Sequence, residues 1–266
     1  MGRVRNTGSN HMQVQNAART MMANIMFSSV DEHIRTIVVT SSVPTEGKST
    51  CSIELAEAFA SSGKRTLLID CDLRRRSLSQ IMGIRARYGL YAVLSGQTAL
   101  SIATVQTSVE NLEFLDAEPH TANPQAILSS KRFERFIDSI KKSYDIVIFD
   151  TPPIGAFVDA AIVSALADGT VMVVREGLTK REEMVATYNQ LKTAGANVLG
   201  VCLNGCQTKG SEYYDYYTSK DKGNKKGSKK FMDTESSTGG FSSVEATPVE
   251  TTSIVPALPE KKRHAR

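Results

Sequence analysis

The run Ser42-Val43-Pro44-Thr45-Glu46-Gly47-Lys48-Ser49 follows the apolar stretch Ile37-Val38-Val39 and precedes a helical segment that begins near Thr50. A strand, a tight turn ending in Gly-Lys-Ser and then a helix is the layout of a phosphate cradle. Successive backbone N–H groups and the helix N-terminus point at the anion. In such a cradle the ammonium of Lys48 reaches the outer phosphates and the hydroxyl of Ser49 ligates Mg²⁺. The candidate nucleotide contacts are Ser42, Thr45, Glu46, Gly47, Lys48, Ser49 and Thr50. The usual pattern opens with Gly, which tolerates backbone angles that other residues avoid, and Ser42 holds that place. A chance Gly-Lys-Ser behind a buried strand is the competing explanation; the flanking strand and helix argue against it.

Two further apolar runs end in acids. Leu67-Leu68-Ile69 leads into Asp70-Cys71-Asp72, and Ile146-Val147-Ile148-Phe149 leads into Asp150-Thr151-Pro152-Pro153. A carboxylate beside a phosphate cradle orients the waters of Mg²⁺ or takes a proton from an incoming hydroxyl. Asp150 has the form of the second metal-site motif of P-loop enzymes. Asp70 and Asp72, two apart on extended chain, face one region only if the strand ends between them. A single strand-terminal Asp is commonly a cap or turn residue. Two such motifs in order behind a cradle are a stronger signal. Arg74, Arg75 and Arg76 add cations beside the acids, either as phosphate ligands or as surface charge balance, and the sequence does not rank them.

The elements that must position these groups follow from patterning. Runs at Thr36–Ser41, Thr66–Asp70, Tyr144–Asp150, Gly169–Val174 and Val198–Leu203, with a weaker one at Leu112–Leu115, are nearly continuous in Val, Ile and Leu. Strands buried on both faces have this composition. Helical segments near Ser49–Ser62, Pro124–Lys142, Asp159–Ala167 and Lys180–Ala194 separate them. The alternation predicts an α/β fold, P-loop NTPase-like, with a mostly parallel sheet flanked by helices. Ligands of such sheets bind beyond the carboxyl ends of the strands, where the motifs fall. Ahead of the sheet, Val14, Ala17, Ala18, Met21, Met22 and Ile25 recur at helical intervals and predict a helix from Met12 to about Phe27.

Bulk properties narrow the class. At 266 residues and 41% hydrophobic content the chain suits one sizeable globular domain with extra segments. No apolar run of about 18 residues predicts a membrane span, and the N-terminus lacks the apolar core of a secretory signal, so a cytoplasmic location is expected. Cys51, Cys71 and Cys202 lie in or beside apolar runs as ordinary small core residues, and Cys202 and Cys206 lack the spacing of a metal site. The net charge of +4 is unevenly placed, with Lys220, Lys222, Lys225, Lys226, Lys229 and Lys230 crowded together. That cluster reads as a solvated basic linker, a nucleic-acid patch or a site of attraction to an anionic membrane. Beyond Cys206 apolar content is low, which predicts a disordered C-terminal tail carrying Tyr213, Tyr214, Tyr216 and Tyr217. Residues 1–34 thus read as an arm with a helix, 35–206 as the nucleotide domain and 207–266 as the flexible tail.

The cradle from Val39 to Thr50, the Asp70-x-Asp72-x-Arg74 segment and Phe149-Asp150-Thr151-Pro152-Pro153 resemble the three nucleotide motifs of bacterial tyrosine kinases. Gly89-Leu90, Val93-Leu94-Ser95-Gly96, Asn123-Pro124 and Asp159-Ala160 match as well, and the tyrosines at 213–217 resemble that family's autophosphorylated tail. The resemblance implies an ATP- and Mg²⁺-dependent kinase that phosphorylates Tyr213, Tyr214, Tyr216 and Tyr217 of a neighbouring copy and controls capsule or exopolysaccharide synthesis and export. It implies that Lys48 and Ser49 hold phosphate and Mg²⁺, that Asp70 is the catalytic base, and that Asp72 and Asp150 organise the metal. It also implies activation by a membrane-spanning partner of the chain-length-regulator class. Lacking such a span, this chain looks like the separate cytoplasmic component, recruited to the inner membrane face by that partner. No nucleic-acid partner is expected.

Three positions depart from the family pattern. The Glu-x-x-Arg-x-x-Arg used for ring assembly is matched by Asn16, Arg19 and Met22, so only Arg19 is kept. Arg76 stands where Pro often follows the arginines, and about fifty residues follow the tyrosines, which usually lie near the chain end. A Min/Par-type P-loop ATPase shares the expected architecture, and fold alone does not separate the two. Those ATPases carry an extra Lys early in the cradle, where this chain has Val43. A nucleotide-binding adaptor without transfer activity is the other alternative. The tail tyrosines discriminate, because a kinase needs a hydroxyl acceptor.

Overall fold

Among the described residues six of seven strands run parallel and place their carboxyl ends on one edge. The computed structural model describes residues 7–28, 33–118 and 123–206. The strands are β1 (Thr36–Ser41), β2 (Thr66–Asp70), β3 (Val105–Gln106), β4 (Leu112–Leu115), β5 (Ile146–Asp150), β6 (Gly169–Arg175) and β7 (Val198–Asn204), ordered β3-β4-β2-β5-β1-β6-β7. β3 pairs antiparallel with β4, alone among the described strands. Every residue of β1, β2 and β5 is buried, which is why these strands read as unbroken apolar runs.

The side-chain period of two splits these strands between two cores. Ile37, Val39, Leu68, Ile148, Val171 and Val173 pack on one face against Ile53, Leu55 and Phe59 of α2 (Lys48–Ser61) and Ile25 of α1 (Thr7–Phe27). Val38, Leu67, Ile69, Val147 and Phe149 pack on the other face against Phe133, Phe136, Ile137 and Ile140. Those four belong to α7 (Lys131–Ser143), and their spacing makes one apolar stripe. The Phe133 and Phe149 rings meet edge-on with centroids 6.2 Å apart.

The expected helix from Pro124 to Lys142 is two helices, α6 (Pro124–Leu128) and α7. Ser130 is the reason: its hydroxyl accepts the N–H of Phe133 and starts a new helix. Four short elements escaped the periodic signal, namely β3, α3 (Leu78–Met82), α4 (Leu90–Ser95) and α5 (Leu100–Ala103). The remaining helices are α8 (Asp159–Ser164) and α9 (Arg181–Thr193). Among the described residues no helix is long and apolar enough to cross a membrane. The tail from residue 207 onward, with its four tyrosines and its lysine cluster, lies outside the described residues.

Candidate active site

β2 stops at Asp70, so the chain turns before Asp72 and both acids reach the same sheet edge. Asp70 and Asp150 are direct register partners across β2 and β5. Lys48, the first residue of α2, places Nζ 3.3 Å from Asp150 Oδ2 and 3.6 Å from Asp72 Oδ2. Ser49 Oγ donates to Asp150 Oδ2 at 2.6 Å, and Ser52 Oγ donates to Asp150 Oδ1 at 3.0 Å. Asp70 has a different set of partners. Its Oδ1 accepts the amide of Asp72 at 3.0 Å, and its Oδ2 accepts those of Ser77 and Leu78, each at 3.3 Å.

The electrostatics follow from burial. All three carboxylates are buried, and among the described residues Lys48 is the one cation paired with any of them. Desolvation pushes the Asp70 carboxyl well above the usual range, and the charge of Asp150 adds to this, while the Asp72 amide opposes it. Burial raises Asp150 too, against the pull of the Lys48 ammonium and the Ser49 and Ser52 hydroxyls. Two acids paired with one ammonium, and Asp70 beside Asp150, leave an excess of carboxylate over cation, and a hard divalent cation is the ligand such oxygen donors take. No three His, Cys, Asp or Glu side chains converge into a closed cage among the described residues.

The loop ahead of α2 is held in an unusual shape. Gly47 has φ +90°, and a Cβ there would lie 2.1 Å from Asn204 Nδ2. Asn204, the last residue of β7, donates that amide to the Glu46 carbonyl at 2.9 Å. Thr45 adopts φ +69°, rare for a β-branched residue, and its carbonyl accepts Arg175 Nη1 at 3.1 Å. Glu46 is fully buried and works within the loop: Oε2 accepts the Val43 amide at 2.8 Å and Oε1 accepts the Thr179 hydroxyl. Thr50 is exposed on the first turn of α2. Ser42 is not at positive φ, so its position does not demand Gly. The close approach falls instead at Gly155, where a Cβ would sit 2.4 Å from the Ser42 carbonyl. Thr151 ties the second acidic strand to the first, since its hydroxyl and its amide both donate to the Val39 carbonyl.

The structure ranks the three arginines. Arg74 donates twice to the buried Asp159, at 2.7 and 3.2 Å, with its guanidinium 4.2 Å over the Phe157 ring. Arg76 pairs with the buried Asp116. Arg75 is exposed and forms no side-chain ion pair among the described residues. Asn204, Arg175, Thr179, Asp116 and Asp159 were not singled out as site residues from sequence, because each acts on a partner far away in the chain.

Residues 11–195 match the family described as AAA domain. Over 203 residues the chain is 37% identical to the tyrosine-protein kinase YwqD of Bacillus subtilis (strain 168), covering 76% of this chain and 86% of that one. The chain belongs to the bacterial tyrosine-protein kinases. The kinase domain of the Escherichia coli tyrosine kinase ETK superposes with a TM-score of 0.70 at 28% identity, over 74% of this chain and 77% of that one. The septum site-determining protein MinD of Pyrococcus horikoshii OT3, complexed with Mg-ADP, reaches a TM-score of 0.57 at 24% identity over 68% of this chain and 76% of that one. That likeness is of fold alone, the P-loop sheet that bacterial tyrosine-protein kinases share with such ATPases.

Proposed function

We propose that this chain is an ATP-dependent protein tyrosine kinase that phosphorylates its own tail at Tyr213, Tyr214, Tyr216 and Tyr217 and regulates capsular or exopolysaccharide synthesis and export. The observation that carries the reading is the position of Lys48, at the head of α2 and between Asp72 and Asp150. A lysine there offsets charge on the outer phosphates of ATP, while the free amides at the head of α2 orient them. Ser49, Asp72 and Asp150 would hold Mg²⁺, which offsets the negative charge of the transferring group when bound. Phenol has a pKa of about 10, so a carboxylate must accept its proton near neutral pH. Asp70 takes this role once ionised, which the charge of a bound Mg²⁺ would favour against the burial and the Asp150 charge that raise its proton affinity in the ligand-free chain.

A second assignment of the proton rests on a specific observation. Asp70 is fully buried and accepts three backbone amides, whereas Asp72 keeps 5% exposure and stands beside Lys48. Under that assignment Asp70 shapes the loop and Asp72 meets the phenol.

The acceptor is the tail of a second copy, and the activator is a membrane-spanning protein of the chain-length-regulator class that draws this chain to the inner membrane face. The test is to incubate the full chain with γ-labelled ATP, with and without a candidate activator's cytoplasmic peptide, and map the labelled residues. Label on the four tail tyrosines is expected, and replacing them with Phe removes most of it while ATP binding persists. Label mainly on Ser or Thr would overturn the tyrosine reading. ATP binding without any transfer, activator included, would favour an adaptor.

A further inference from the structure

We infer that Cys51 and Cys202 form a reversible thiol–disulfide pair, closed by a peroxide, that couples the outer strand of the sheet to the phosphate cradle. The consequence for the cradle rests on the nucleotide-binding reading above; the sulfur chemistry does not. The two sulfurs lie 4.0 Å apart, bridging 151 positions of sequence. Cys51 sits in the first turn of α2, where its N–H donates to the Gly47 carbonyl at 3.0 Å. Cys202 lies on β7, two residues before the Asn204 amide that holds the Glu46 carbonyl. Both thiols are partly exposed, so a small oxidant reaches them, whereas Cys71 is fully buried on the opposite face. A thiol–thiol hydrogen bond in which either sulfur can donate joins the pair, and the contact with Cys51 draws the Cys202 thiol below its ordinary value.

The chemistry balances with a peroxide as oxidant. Cys202 sulfur attacks one peroxide oxygen, the O–O bond breaks and water leaves, giving a sulfenic acid. Cys51 sulfur then attacks Cys202 sulfur, the S–O bond breaks and a second water leaves, giving the disulfide. Both thiol protons depart in the two waters, the cysteines are oxidised by two electrons and the peroxide is reduced. Bonding draws the sulfurs together by about 2 Å. Among the described residues β7 is hydrogen-bonded on one side, to β6, so the movement falls on its end and on the first turn of α2. Those segments carry Asn204, Lys48 and Ser49, and the oxidised chain therefore binds nucleotide less tightly.

The experiment treats the full chain with hydrogen peroxide, blocks free thiols, and reads intact mass, non-reducing peptide linkage and affinity for a fluorescent ATP analogue. The expected result is two fewer blocked thiols than in the reduced chain, a Cys51–Cys202 linked peptide and a several-fold weaker affinity, all reversed by dithiothreitol. Cys51→Ser and Cys202→Ser each abolish linkage and affinity change, while Cys206→Ser leaves both. Oxygen added to single cysteines without linkage, or linkage through Cys206, would overturn the pair. Linkage with unchanged affinity would overturn its coupling to the cradle. A reduced chain that binds no nucleotide would sink the nucleotide reading, with the mass result still deciding the pair.

Discussion

Asp70 and Asp150 end neighbouring parallel strands in direct register, yet the lysine of the cradle pairs with Asp150 and leaves Asp70 to backbone amides. Two buried carboxyls side by side do not both ionise freely, and the less compensated one keeps its proton longer. Asp70 is that one. The asymmetry gives two like residues different tasks: Asp150 is fixed by hydroxyl and ammonium donors, and Asp70 is poised to hold a proton.

Asp70→Asn carries a fixed cost, because its NH2 cannot accept the backbone amides that one carboxylate oxygen holds, but the ligand-free variant is expected to gain thermal stability relative to wild type as pH rises. The sign follows from linkage. With its folded pKa above the unfolded value, Asp70 binds a proton in the native state that the unfolded chain has released. Wild-type stability therefore falls as pH rises from the ordinary carboxylate range through the raised value. Asn has no such slope, so the Tm of the variant relative to wild type rises with pH. Each kcal/mol relieved is worth about 2–4 °C in a domain of this size. Calorimetry across pH checks this, and a gap that is flat with pH contradicts it. In kinase assays the same variant slows transfer more than it weakens ATP binding if Asp70 is the base. If Asp72→Asn shows that split instead, the proton belongs to Asp72.

Lys48→Met removes the ammonium and leaves three buried acids facing one another. Breaking a buried pair in this way costs about 3 kcal/mol, so Tm falls. Low pH or millimolar Mg²⁺ recovers part of the loss, because either neutralises the acids. Self-labelling drops by about 100-fold or more, the scale of losing one charge-stabilising donor in an active site. Undiminished labelling would rule out this cradle.

At the opposite end of the sheet, Asp168 shows the reverse sign. Its carboxylate accepts the amides of Arg35 at 3.0 Å and Thr36 at 2.9 Å, fixing the start of β1, and pairs with Lys141 at 2.7 Å. Burial raises its proton affinity, but Lys141 and the two amides outweigh that and hold the carboxyl below its usual range. The stability it supplies is present above the unfolded carboxylate pKa and is lost as pH falls through the depressed value. Asp168→Asn is expected to cost about 1–2 kcal/mol at neutral pH and progressively less in acid. Urea unfolding at several pH values measures this, and a cost that does not shrink in acid would count against it.

The strand–turn–helix around Gly47 was legible because its pattern is contiguous: strand, turn and helix start follow one another from Ile37 to Thr50. The acid edge was legible because fully buried strands have unbroken apolar runs, so their ends are sharp, and Asp70 ends β2 as Asp150 ends β5. Devices that work between distant segments were not. Glu118 supplies its carboxylate to the amides of Gly89, Tyr91 and Ala92 at the start of α4, a helix too short to show a period. Asn204 reaches Glu46 across 158 positions, and a lone Asn at a strand end has no local pattern to announce that role. Ser130 split the predicted long helix because one hydroxyl cap outweighed continuous helical patterning.

Gly47 and Asn204 test whether that distant contact shapes the cradle. Gly47→Ala carries two separable penalties. The left-handed backbone at φ +90° costs an L-residue about 1–2 kcal/mol wherever it occurs. The new methyl also strikes Asn204 Nδ2, which is the donor to the Glu46 carbonyl and so cannot swing away without losing that bond. Asn204→Ala alone leaves the Glu46 carbonyl short of a partner, at a cost of about 1 kcal/mol. The double variant Gly47→Ala/Asn204→Ala removes the clash, and its total cost should therefore fall below the sum of the single costs by about 1 kcal/mol or more. Unfolding free energies for the four proteins of the cycle measure the difference, and strict additivity would mean that the two side chains do not meet. Nucleotide affinity should follow the same non-additive pattern, since both residues set the direction of the amides at the head of α2.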